Sequence, residues 1–129
     1  MAEGLSAGAA NNILNAIFNN TSYAIAQAYI KLHVGAPGAA GTSNPAGNTT
    51  RKAISMAVAA SGAITSDTDT DWTAGEVNTN EDYTHFSIWD NVSAGNFVAS
   101  GIVTANAILS GDTFKIPAGD LDFSFPLAS

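Results

Sequence analysis

From Ala28 onward the apolar and polar residues of this chain alternate, and that period of two constrains its fold more than any other feature. Successive side chains of a strand point to opposite faces, so alternation marks a sheet with one face buried. Ala28, Ile30, Leu32 and Val34 alternate with Tyr29, Lys31 and His33, predicting a half-buried strand over 28–34. Lys52, Ile54, Met56 and Val58 alternate with Ala53, Ser55 and Ala57, predicting a second strand, and Ala63-Ile-Thr65 a short third. Residues 83–90 are rich in the aromatic and β-branched residues that suit a pleated surface, and predict a central strand. A turn over 91–96 leads to a strand over 97–103, followed by short ones at 107–109, 113–116 and 121–125. Ser110-Gly-Asp112 and Pro117-Ala-Gly-Asp120 separate the last three. Strands recurring roughly every ten residues between such turns predict a mainly β fold, an antiparallel β-sandwich or jelly-roll-like barrel.

One segment departs from this period. Ile13-Leu14 and Ile17-Phe18 are spaced by four, which places them on one face of a short amphipathic α-helix over 9–18, with Ser6 as its cap. Asn19-Asn-Thr-Ser22 ends it, because these side chains compete for backbone hydrogen bonds. Residues 1–8 are expected to form a flexible arm. Gly and Pro punctuate 35–48 too often for regular structure, so a long exposed loop is expected there. The acidic stretch 66–82 reads as a second loop, anchored in the core by Trp72 and Val77. With 129 residues and no visible boundary or repeat, the chain is read as a single domain, 1–129.

Only 12% of the residues are charged, about half the usual share, so Ser, Thr, Asn and Gly must supply much of the surface. The net charge is −7, and the only adjacent basic pair is Arg51-Lys52. Binding to nucleic acid or an anionic membrane, which needs clustered Lys and Arg, is therefore not expected. Cysteine is absent, so neither disulfides nor thiolate metal sites enter. The N-terminus lacks a secretory pattern, and synthesis in a cytoplasm is expected.

Candidate chemistry is sparse. Asp67, Asp69 and Asp71 alternate like the start of a calcium loop, yet the required Gly and Glu positions hold Trp72 and Asn78. A solvated acidic loop is the plainer reading. His33 and His85 fall on separate strands that would have to be neighbours to share a zinc ion with Asp82 or Asp90. Ser87, His85 and Asp90 contain the residue types of a hydrolase triad without its spacing. No catalytic residue and no cofactor is expected. The candidate partner-binding residues are Ile13, Leu14, Ile17 and Phe18 of the helix, together with Arg51 and Lys52. The plainer expectation for the basic pair is an exposed ion pair with Asp67, Asp69 or Asp71.

Several blocks, in order, resemble a family of small tailed-phage virion proteins of the head-decoration and tail-fibre kind. They are Asn12-Ile-Leu-Asn-Ala-Ile-Phe18 with Asn20-Thr-Ser-Tyr23, Tyr29-Ile-Lys-Leu-His33, Ala60-Ser-Gly-Ala-Ile-Thr-Ser66, Thr84-His-Phe-Ser-Ile-Trp-Asp90, Gly95-Asn-Phe97 and Gly111-Asp-Thr-Phe114. Where that family usually carries Gly-Tyr-Ala-Arg, this chain has Thr49-Thr-Arg-Lys52. The resemblance implies a β-sandwich that binds other virion proteins and catalyses nothing. The leading expectation is an external capsid decoration (minor capsid) protein, a homotrimer bound to the major capsid protein. The alternative is a tail-fibre or tail-tip module binding the host surface through 35–48 and 66–82, with Trp72 or Tyr83 as a sugar-stacking platform.

Overall fold

The computed structural model describes residues 3–129, apart from the side chains of Ala105 and Asn106. One helix, α1 (Ala7–Phe18), precedes eight strands: β1 (Tyr29–His33), β2 (Lys52–Ala53), β3 (Ala63–Thr65), β4 (Thr70–Trp72), β5 (Glu81–Trp89), β6 (Phe97–Ile108), β7 (Phe114–Ile116) and β8 (Asp122–Ser124). The fold is mainly β and every strand pairing is antiparallel. A four-stranded sheet in the order β2-β1-β5-β6 forms one layer, and the two-stranded ladders β3-β8 and β4-β7 form the other.

The alternation predicted in β1, set against the aromatic and β-branched run of β5, is what joins the layers. Ile30 pairs with Ile88 and Leu32 with Phe86, placing all four side chains on the sheet face that meets the ladders. Phe86 there meets Phe123 of β8 edge-on, with ring centroids 5.9 Å apart. Phe114 of β7 packs against both Tyr83, at 5.0 Å, and Trp72, at 5.7 Å. Trp72 and Val77, the expected anchors, are fully buried. Burying a large apolar side chain is worth about 1.5–3 kcal/mol, so this aromatic seam, together with Ile30, Leu32, Ile88, Ile116 and Leu121, stabilises the stacking of the layers. Gly101 of β6 lies beneath the Phe86 ring, where a Cβ would stand 2.5 Å from Cζ. Only glycine lets the ring lie that close to the backbone.

Several expectations are corrected. The second strand shrinks from 52–58 to Lys52–Ala53, because Ile54 N–H still bonds Ala28 O whereas Ala57 N–H already bonds Thr65 O. The chain there leaves the edge of the large sheet for the other layer; Ile54 and Met56, which pack on the core on the way, mimic a continuous strand, whereas Val58 is exposed. The strands expected at 97–103 and 107–109 are one, Phe97–Ile108, with a register shift opposite Tyr83 and His85. The acidic loop contains β4, whose Thr70 and Trp72 are buried while Asp71 faces out.

The stretch 35–48 has no regular structure, as expected, but it is folded down against the sheet rather than projecting from it. Val34 N–H bonds Asn44 O, Ser43 N–H bonds Pro37 O and Ala46 N–H bonds Leu32 O. Pro37, Ala46 and Asn48 are buried. Gly41, at φ +74°, allows Phe97 to pack on the loop, since a Cβ there would meet the ring at 2.5 Å.

The helix begins at Ala7 rather than Ala9, because Ser6 caps it: its Oγ accepts from Ala9 N–H at 3.0 Å. It ends where expected, with Asn20 left-handed at φ 50°. Residues 4–6, expected within a free arm, are pinned along β6. Ser6 N–H bonds Val98 O at 2.7 Å and Ser100 N–H bonds Gly4 O at 2.8 Å. The edge of a long strand offers unpaired backbone groups, and this short segment satisfies some of them. Met1 and Ala2 of the expected arm lie outside the described residues.

Candidate partner-binding surface

The helix turns its large side chains outward. Ala9 is its only buried residue, whereas Leu14, Ile17 and Phe18 are 53%, 65% and 76% exposed and Ile13 is half-buried. The helix therefore packs on β6 through its small residues and offers the expected partner-binding side chains to whatever lies beyond. The segment that follows, 19–28, has no regular structure and returns the chain to β1.

Arg51 and Lys52 are engaged inside the fold. The Arg51 guanidinium lies over the Trp89 ring, 4.3 Å from its centroid, and donates to the carbonyls of Asn91 at 2.8 Å and Ala94 at 2.7 Å. It thereby clamps the turn between β5 and β6. Asp90 braces the same turn: its carboxyl is held below the usual range chiefly by the Asn96 N–H, with Arg51 a lesser contributor. Lys52 pairs with Glu76 at 2.7 Å, and Asp69 with Lys115 at 3.5 Å. The expected pairing of Arg51-Lys52 with Asp67, Asp69 or Asp71 is thus corrected, because β4 pairs with β7 and faces Asp69 toward Lys115.

His33 and His85 do stand opposite each other in the β1-β5 register. Their partners differ. His33 is fully buried, with Nδ1 2.8 Å from Ser43 O and Nε2 2.7 Å from Ser87 Oγ. A carbonyl can only accept, so Nδ1 carries the proton and Nε2 accepts from the Ser87 hydroxyl. Ser87 Oγ in turn accepts from Trp89 Nε1–H at 2.7 Å. Burial lowers the His33 pKa, the Ser43 bond opposes this, and the Lys31 charge adds to the lowering. His85 instead contacts Thr84 Oγ1 at 2.8 Å and lies 3.8 Å from Glu3.

The assembled line, Ser43 O to His33 to Ser87 to Trp89 beneath Arg51, was not visible in the sequence. It joins residues as far as 54 positions apart, brought together by the β1-β5 register and by the folding of the stretch 35–48 against β1. It resembles a hydrolase dyad, but a carbonyl replaces the orienting carboxylate and neither His33 nor Ser87 has any exposed surface. The Ser87, His85 and Asp90 combination considered from sequence does not form: Asp90 is bound to Asn96, and His85 does not meet Ser87. Trp72 and Tyr83 are both fully buried, so neither is a stacking platform. Trp72 Nε1–H bonds Thr50 O, and the Tyr83 hydroxyl accepts from Asn48. Among the described residues there is no group of three or more His, Asp or Glu placed to hold a metal, and no helix long and apolar enough to cross a membrane.

The fold is a small antiparallel sandwich whose buried His33, Ser87 and Trp89 are hydrogen-bonded to one another and whose helix turns its large apolar residues outward. The model of one family, described as Podophage GP4 fiber I protein gp80, matches residues 4–124. The chain belongs to that family and is a bacteriophage virion structural protein. Among curated proteins, none matches it.

Proposed function

We propose that the chain is a subunit of a phage fibre, bound within the virion by protein-protein contact and carrying no catalytic chemistry. The observation that carries this reading is the helix, which spends Ala9 on its own fold and leaves Leu14, Ile17 and Phe18 to solvent. Isolated apolar residues are common on surfaces, but three adjacent ones on one helical face mark an interaction site. The family's description as a fibre protein supports a place in a fibre. The sealed Ser87-His33 pair supports the absence of catalysis, since no substrate reaches either atom.

Quantitative gel staining of purified virions, with immunogold imaging, tests the reading. A fibre subunit is expected in a few copies to tens per particle, with label at the tail. Hundreds of copies spread over the head would overturn the fibre assignment and restore external decoration.

A further inference from the structure

Charge is segregated along this chain. Nine of the eleven acidic residues fall within 67–82 and 112–122, whereas 4–30 and 91–111 contain no Asp, Glu, Lys or Arg. The fold brings the two uncharged stretches together, because α1 packs on β6 and Leu5 bridges to Ala99. The outer surface of this neutral region carries Leu14, Ile17 and Phe18. Asn11 and Asn15 are exposed beside them.

We infer that α1 and the following segment 19–28 form a self-association surface, occupied by the same surface of another copy of this chain, helix against helix. Each copy carries a net charge of −7, so two copies repel when their acidic ladders face each other. The neutral region is the approach to which neither acidic stretch contributes a residue; the carboxylate that lines its groove, Asp90, is already held by Asn96. A basic partner would instead be drawn to 67–82 and 112–122. The polar groups fit a copy as well, since an Asn amide both donates and accepts and so complements another Asn across a symmetry axis. A twelve-residue helix is about 18 Å long and covers less than the roughly 800 Å² per partner of a stable interface, so the uncharged segment 19–28 is part of it. This deepens the proposed structural role by naming the partner, and rests on that role only for its place in the virion.

The absence of cysteine makes the test direct. Leu14→Cys and Phe18→Cys, each introduced alone and mildly oxidised, are expected to give a cross-linked species of twice the 13.1 kDa chain mass. Asp120→Cys, exposed on the acidic side, is expected to remain a single chain. Light scattering of the unmodified protein should give a multiple of the chain mass, falling to one chain in the Ile17→Ser, Phe18→Ser double variant, whose folding circular dichroism checks. A single-chain mass at all concentrations without cross-linking, or a multimer unchanged by the double variant, overturns the inference. Either result with the protein still found in virion fibres leaves the proposed function standing. Self-association of a protein absent from fibres would defeat the proposed function alone.

Discussion

Removal of the Ser87 hydroxyl probes the buried line directly. In Ser87→Ala two buried groups lose their partners at once, the Trp89 Nε1–H and the His33 Nε2. Each orphaned buried group costs about 1–3 kcal/mol, so allowing for some relaxation the loss is about 2–5 kcal/mol. At about 4 °C per kcal/mol for a domain of this size, Tm should fall by about 8–20 °C. Because His33 and Ser87 share one bond, the double variant His33→Leu, Ser87→Ala should lose less than the sum of the two single losses. Thermal unfolding followed by circular dichroism measures all of these. The same network fixes a pH dependence. The folded His33 pKa lies below its unfolded value of about 6.5, so between the two the unfolded chain binds a proton that the native chain refuses. Its contribution to stability is complete above about pH 6.5 and is lost as the pH falls toward the lowered native pKa. A proton on Nε2 would also strand the Ser87 hydroxyl hydrogen, since Trp89 occupies the other side. A Tm loss in Ser87→Ala equivalent to less than about 1 kcal/mol would refute the reasoning, given the cost range for buried orphaned groups. So would a pH slope in His33→Gln as steep as that of the unmodified protein.

Further expectations follow from single contacts. Gly101→Ala should cost about 1–3 kcal/mol, because the new Cβ meets the Phe86 ring at the seam between layers; urea unfolding measures it. Trp72→Ala should cost about 3–5 kcal/mol by the same measurement, through the lost packing on Phe114 and the orphaned Thr50 carbonyl. Arg51→Lys should accelerate amide exchange in the turn over 91–96, since an ammonium cannot lie flat on Trp89 while holding two carbonyls; unchanged exchange would show that the clamp is idle. Asp69, Glu76 and Asp90 all have lowered pKa values, so a second loss of stability should open as the pH falls below about 4, separate from that of His33.

The sequence by itself determined those features whose cause is local. Alternation placed β1, aromatic and β-branched content placed β5, Ser6 and Asn19-Asn20 bounded the helix, and the apolar character of Trp72 and Val77 in an acidic stretch marked them as buried. Side-chain period and backbone capping act over a few residues, so they can be read from the chain alone. The same period misled at 52–58, where Ile54 and Met56 pack on the core as the chain crosses between layers and Val58 is left exposed. Tertiary structure alone decided which strands meet, and with them every polar partnership that matters. Lys52 found Glu76 rather than the nearer run of aspartates, Arg51 found Trp89, and His33 found Ser87. Tertiary structure also decided that the helix would seat Ala9 and show its large residues, uniting two uncharged stretches far apart in sequence on one face. Partner choice across a sheet depends on register and topology, which set distances between residues tens of positions apart, and no local pattern encodes those distances.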